Sequence, residues 1–171
     1  MTKQPRIPPV DADALEAPYN SLNVARTIGQ NPALLRAWAG FATYILGPEL
    51  SLEPRERELA ILRVGWNHQA EYEWSHHVAI AESLGMSDED LLAVQDGPAS
   101  AHWGELESLI LLAADELWKQ AEISASTWDG LKRFYSDQQM LDLLFTMGQY
   151  TMVSMALNSL KVPLEEGFEG I

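Results

Sequence analysis

Three observations predict an all-α fold. Apolar residues recur at three- and four-residue spacing along most of the chain, as one face of a helix requires. Start and stop residues bracket these runs, with Asn31-Pro32 and Ser87-Asp88-Glu89-Asp90 at starts and Gly47-Pro48, Gly85 and Gly97-Pro98 at ends. No alternating apolar and polar run is bounded by hairpin turns, so no sheet is expected. The pattern gives about seven helices.

Taken in order, residues 1–20 carry Pro5, Pro8, Pro9 and Pro18, which fix φ and remove backbone donors. An extended N-terminal arm is expected there, either frayed or clasping a neighbouring subunit. Residues 21–171 read as one domain. Helical spacing begins with Leu22, Ala25 and Ile28, and Asn31 as N-cap before Pro32 opens a helix over 32–46. Pro54 opens the next helix, with Glu56 and Glu58 near its first turns, where the helix dipole favours negative charge. Gly65, Asn67 and His68 interrupt the pattern, and a further helix runs to Leu84, with Gly85 as its stop. The result is a central antiparallel pair, about 55–66 and 70–84.

A short helix covering about 91–94 follows the acidic cap at Ser87. A long amphipathic helix over about 105–122 carries Leu106, Ile110, Ala113 and Leu117. Residues 124–127 restart the chain before Trp128 and Leu131, and the last helix runs from 137 to about 160, carrying Met140, Leu141, Leu144 and Phe145.

The 171 residues suffice for one core burying roughly 70% of the unfolded chain's surface. With 47% hydrophobic and 21% charged residues the composition is that of a folded globular protein rather than a disordered one. A net charge of −14 repels nucleic acid and anionic lipid, so neither is an expected partner. The absence of cysteine excludes disulfides, thiolate catalysis and Cys-ligated metals. No apolar run reaches bilayer-spanning length and the N-terminal residues lack a signal-peptide core, so a cytoplasmic setting is the expectation.

Proton-transfer groups are densest in Ala70-Glu71-Tyr72-Glu73-Trp74-Ser75-His76-His77. In a single straight helix Glu58 would lie roughly 22 Å from Glu73, at 1.5 Å rise per residue. A turn over 65–69, folded about the midpoint of Asn67 and His68, instead places Glu58 opposite His77. Glu73 and His77 are an i, i+4 pair on one face. Carboxylates flanking an imidazole raise its proton affinity and fix its orientation, as general acid or base chemistry near neutral pH needs. Glu58, Glu73 and His77 are therefore the candidate catalytic residues. Tyr72 and Trp74 are candidate substrate contacts, as walls for an unsaturated ring. The bland alternatives are solvated helix carboxylates and a histidine satisfied in the core. A metal site is not expected, because adjacent His76 and His77 diverge on a helix and no His-Glu-x-x-His spacing occurs.

Glu56-Arg57-Glu58-Leu59-Ala60-Ile61-Leu62-Arg63-Val64, Glu71 to His77, and Leu84-Gly85-Met86-Ser87 resemble the carboxymuconolactone decarboxylase family, whose superfamily includes alkyl hydroperoxidase D. The resemblance implies a helical bundle of that type. Its hydroperoxidase branch carries a Glu, then Cys-x-x-Cys-x-x-x-His, with Gly eight residues after the His. Counting back from Gly85 aligns His77 with that histidine, Ala70 and Glu73 with the two cysteines, and Glu58 with the upstream glutamate. Both thiols are missing, so dithiol peroxide reduction is not available to this chain.

What the resemblance then implies is the decarboxylase branch: a cofactor-free acid–base lyase or isomerase acting on a small organic acid or lactone, in a homo-oligomer such as a trimer or hexamer. Arg63 would meet a substrate carboxylate, whereas Glu73 adds negative charge at the same place. The rival expectation is a non-catalytic oligomeric or ligand-binding homologue in which Glu73 and His77 form an internal salt bridge.

Overall fold

A computed structural model of the chain describes residues 4–168 and 170. Among them are eight α-helices and no strand: α1 (Asn23–Ile28), α2 (Pro32–Leu46), α3 (Pro54–Asn67), α4 (Glu71–Ser83), α5 (Asp88–Asp96), α6 (Glu105–Gln120), α7 (Ala125–Leu131) and α8 (Asp137–Leu160). The fold is all-α, as the patterning predicts. The eighth helix is α7, a separate seven-residue helix capped by Ser124 and packed on α6.

α3 is the axis of the bundle. Every residue from Arg57 to Gly65 is buried, so the helix is enclosed on all sides, by α4, α6 and α8, with α5 against one end. A helix buried all round is normally apolar all round. α3 instead carries Arg57, Glu58 and Arg63 inside, and each has a partner: Arg57 donates Nε to Glu58 Oε1 at 2.8 Å, and Arg63 grips both oxygens of Asp115 on α6 at 2.7 and 2.9 Å. Leu59, Ile61 and Leu62 fill the remaining faces, against Ile110, Leu111, Leu143 and Met147.

The sequence-predicted caps form. Asn31 accepts from the Leu34 amide, and Ser87 with Asp90 makes a reciprocal capping box on α5. Gly85 takes φ 84°, the left-handed conformation that ends α4. Gly65, expected to break the helix, does not. It stays inside α3, where a Cβ would lie in ordinary contact, 3.6 Å from the Glu73 Cβ and the Trp74 amide at the start of α4. The reversal comes later, at Gln69 with φ 50°, and the Ala70 amide closes it onto the Gly65 carbonyl at 2.9 Å. Asn158 of α8 donates to the His68 carbonyl at 2.8 Å and fixes the turn.

Residues 1–3 of the expected arm lie outside the described residues. The rest of that segment contains two 3-10 turns, Ala12–Ala14 and Tyr19–Ser21. It also bonds to its own chain, through Val10 N to Arg26 O and Arg6 N to Leu160 O. Leu141, Phe145, Met152 and Met155 line the exposed side of α8, so the last helix is apolar on both faces. No helix among the described residues is long and apolar enough to cross a membrane.

Breaking one half of a buried, bidentate ion pair strands the other charge, which costs about 3–5 kcal/mol. Arg63→Met and Asp115→Leu are each expected to lower unfolding stability by that amount in urea titrations. The double variant should lose less than either single, because no charge is then left buried and alone.

Candidate active site

Glu58 of α3 is wholly enclosed, and its Oε2 lies 2.6 Å from His77 Nδ1 on α4. Its Oε1 accepts from Arg57, so both carboxylate oxygens are engaged. Burial pushes Glu58 up, but the hydrogen bond and charge of His77, together with Arg57, outweigh it and hold the carboxyl below its usual range. An ionised carboxylate can only accept, so the proton in this bond sits on His77 Nδ1. Nε2 is left to face the other way.

It faces a cavity of about 380 Å³ lined by Tyr72, Glu73, His76, His77, Trp38 and Tyr150, with Tyr19, Thr43, Gln149 and aliphatic side chains completing the wall. Glu73 Oε2 is 3.5 Å from His77 Nε2, a contact between the groups and too long for a strong hydrogen bond. Among the described residues Glu73 has no hydrogen-bond donor to compensate its desolvation. Burial, with a smaller push from Glu58 and against the pull of His77 and His76, raises its carboxyl above the usual range. Two glutamates on opposite sides of one imidazole are thus driven apart in proton affinity, the pattern that separates an ionised from a protonated role. Tyr150 of α8 closes the third side, its ring edge-on to His77 with centroids 4.8 Å apart.

The other α4 histidine belongs to a different cluster. His76 is stacked between Tyr72 and Phe168, each with centroids 4.2 Å away, and its Nδ1 meets the Tyr72 carbonyl. Its Nε2 lies 2.9 Å from Glu165 Oε2, an ion-pair contact with poor hydrogen-bond angles. Burial lowers His76, but the Glu165 carboxylate and the Tyr72 carbonyl together raise it above its ordinary value. Tyr72 donates to Glu165 Oε1 at 2.5 Å. The C-terminal segment therefore backs the cavity wall through Glu165 and Phe168.

Glu58, Glu73 and His77 are brought together, Glu58 behind the imidazole rather than on the cavity surface, and Tyr72 lines the cavity. Two predicted substrate contacts are corrected. Arg63 is five residues from Glu58, which turns it about 140° around α3. There it is consumed by Asp115 and the Val94 and Gln95 carbonyls. A Cβ at Gly97, whose φ is 94°, would meet Arg63 Nη2 at 2.7 Å, so the guanidinium fills that corner. Trp74 is two positions beyond Tyr72, about 200° away on α4, and packs on Trp66 in the core with centroids 5.2 Å apart. Sequence reasoning missed Tyr150, Gln149 and the contact between Arg57 and Glu58. Thr146, Gln149, Tyr150 and Ser154 form a polar stripe among the buried residues of α8, and that stripe was the available signal. Among the described residues no three His, Asp or Glu side chains are arranged to hold a metal ion.

The raised Glu73 carboxyl has a sign that can be checked. Its contribution to stability is complete below the unfolded glutamate value and is lost as pH rises through its higher folded value. Glu73→Gln is therefore expected to raise the thermal midpoint relative to wild type at pH 7, with the gain vanishing at pH 4. Glu58 has the opposite sign, and its stabilisation should be lost only on acidification below the ordinary carboxylate range.

Residues 32–116, which contain α2 through most of α6, match the sequence model of the Carboxymuconolactone decarboxylase family. No curated protein gives a significant sequence match. Solved structures share the architecture. An uncharacterized peroxidase-related protein with an alkylhydroperoxidase AhpD core, from Ralstonia eutropha JMP134, superposes with a TM-score of 0.82 at 16% identity, covering 95% of this chain and 93% of its own. A peroxidase-related protein from Silicibacter sp. TM1040 gives 0.77 at 17% identity, over 85% and 77%. A Cys→Ala variant of the debrominase Bmp8, in complex with 2,3,4-tribromopyrrole, gives 0.71 at 21%, over 84% and 76%. With the family match laid over the helix pair that carries Glu58 and His77, this chain belongs to the carboxymuconolactone decarboxylase family, in a form without cysteine.

Proposed function

We propose that the protein is an acid–base enzyme of lyase or isomerase type, decarboxylase-like, acting on a small unsaturated lactone or organic acid at His77. The observation that carries this reading is the 2.6 Å bond from Glu58 to His77 Nδ1, made behind an imidazole whose other edge looks into a mostly apolar cavity. That arrangement is what a proton carrier needs: a fixed ring, a defined tautomer and a partner that stabilises the imidazolium once it forms.

In the decarboxylase version, the bond from carbon to carboxylate breaks and carbon dioxide leaves. The electron pair spreads into a dienolate, and His77, entering the step as the imidazolium with a proton drawn from solvent, gives that proton to carbon. Glu73 orients the ring. The peroxidase names attached to structural neighbours do not extend to this chain by thiol chemistry, because peroxide reduction of that kind needs a thiolate and a resolving thiol. That a protein of the same fold holds 2,3,4-tribromopyrrole supports a small unsaturated ring as occupant. The exposed apolar side of α8 supports self-association of the chain.

The test is spectroscopic turnover of lactone acids by wild type and variants. His77→Ala should lower kcat by about 10²–10⁴-fold, the usual contribution of a positioned acid or base. Glu58→Gln should also lower it, through loss of the ionised partner, with substrate binding less affected. Equal rates for wild type and His77→Ala would leave the non-catalytic reading, in which His77 is an internal ion-pair member.

A further inference from the structure

The charges and free donors around the cavity narrow the substrate and the reaction beyond a generic proton transfer. No Lys or Arg is among the described residues that line it. The two arginines nearest His77 in sequence are spent elsewhere, Arg57 on Glu58 behind the imidazole and Arg63 on Asp115. His76, the one further basic group on the wall, already has Glu165. A substrate carboxylate would enter an apolar chamber beside Glu73 with no cation to meet it, and an unpaired buried anion is costly.

What the wall does offer is hydrogen-bond donors. The Tyr150 hydroxyl has no partner among the described residues, and the residue is buried on the cavity wall against His77. Burial above all holds this phenol well above its usual range, so it keeps its proton. Glu73, whose burial favours the protonated form of its carboxyl, lies with Oε2 3.5 Å from His77 Nε2. A phenol and a protonated carboxylic acid beside a base is a known physical solution for holding a dienolate oxygen.

We propose that the cavity takes an uncharged, β,γ-unsaturated cyclic carbonyl compound, a lactone or cyclic ketone, and moves its double bond into conjugation. His77 carries the proton, and the Tyr150 hydroxyl and Glu73 carboxyl bind the carbonyl oxygen. The inference rests on His77 being the proton carrier of the preceding section. His77 Nε2 removes the proton from the carbon between the carbonyl and the double bond. The C–H pair becomes the new carbon–carbon double bond of the dienolate, and the carbonyl pair moves onto oxygen, where both donors meet it. Collapse of the oxyanion pushes the original double-bond electrons to the γ-carbon, which takes the proton back from His77. Substrate and product are isomers, so no further reactant is consumed.

The experiment uses the full chain with two uncharged probes, α-angelica lactone and the β,γ-isomer of cyclohexenone, and one carboxylated lactone, followed by the ultraviolet absorbance of the conjugated products. Wild type is expected to isomerise the uncharged probes. Tyr150→Phe should lower kcat by about 10²–10³-fold, the cost of losing one oxyanion donor, with KM and thermal midpoint nearly unchanged. Glu73→Gln, whose amide still donates, should retain much more activity than Glu73→Ala. Equal kcat for Tyr150→Phe and wild type overturns the assignment of Tyr150. Turnover of the carboxylated lactone alone, dependent on His77, overturns this inference and leaves the acid–base reading standing. Wild type inert toward both classes overturns both.

Discussion

The hydrogen bond between Glu58 Oε2 and His77 Nδ1 joins the two central helices where α3 is completely enclosed, and both the packing and the site chemistry depend on it. A glutamate with no solvent exposure would protonate or unfold its surroundings unless its charge were met. Here it is met twice, by His77 and by Arg57. That double contact keeps the carboxylate ionised, and the ionised carboxylate sets which ring nitrogen of His77 is free. The orientation of the reactive edge toward the cavity follows from a demand of the core.

The same logic explains why α3 tolerates charge at the centre of a bundle. Arg63 with Asp115 and Asn67 forms a second closed set one turn further along, on the opposite side of the helix. Such pairs add little net stability compared with apolar residues of similar shape, because desolvation offsets the attraction. Their value lies in register. Sliding α3 by one turn against α6 would part Arg63 from Asp115, and sliding it against α4 would part Glu58 from His77. The Asn158 contact to the His68 carbonyl sets the same register at the turn.

Much of this was legible in the sequence, because it follows from period and pairing. The spacing of apolar residues and the caps locate the helices, and folding the chain about Asn67 and His68 puts Glu58 against His77. Arg63 and Trp74 were misplaced for one reason: nearness in sequence stood in for nearness in space, while successive helical positions turn by 100°. Gly65 was read as a breaker because its conformational cost is visible in sequence, whereas the packing that encloses α3 and offsets that cost is not. Tyr150 and Gln149 come from a helix some seventy residues downstream of the motif. Nothing local marks them except a few polar residues on the face that turns inward.

The central claim is that Glu58 fixes His77 with its proton on Nδ1 and its lone pair on Nε2 facing the cavity. The most direct measurement is nitrogen-15 NMR of the His77 ring in protein labelled at histidine, with long-range couplings to the ring carbon-bound protons identifying which nitrogen is protonated. The account predicts that neutral His77 is the Nδ1–H tautomer, with that proton shifted downfield by the Glu58 carboxylate. A neutral His77 protonated on Nε2, with Nδ1 bearing the lone pair, would contradict it.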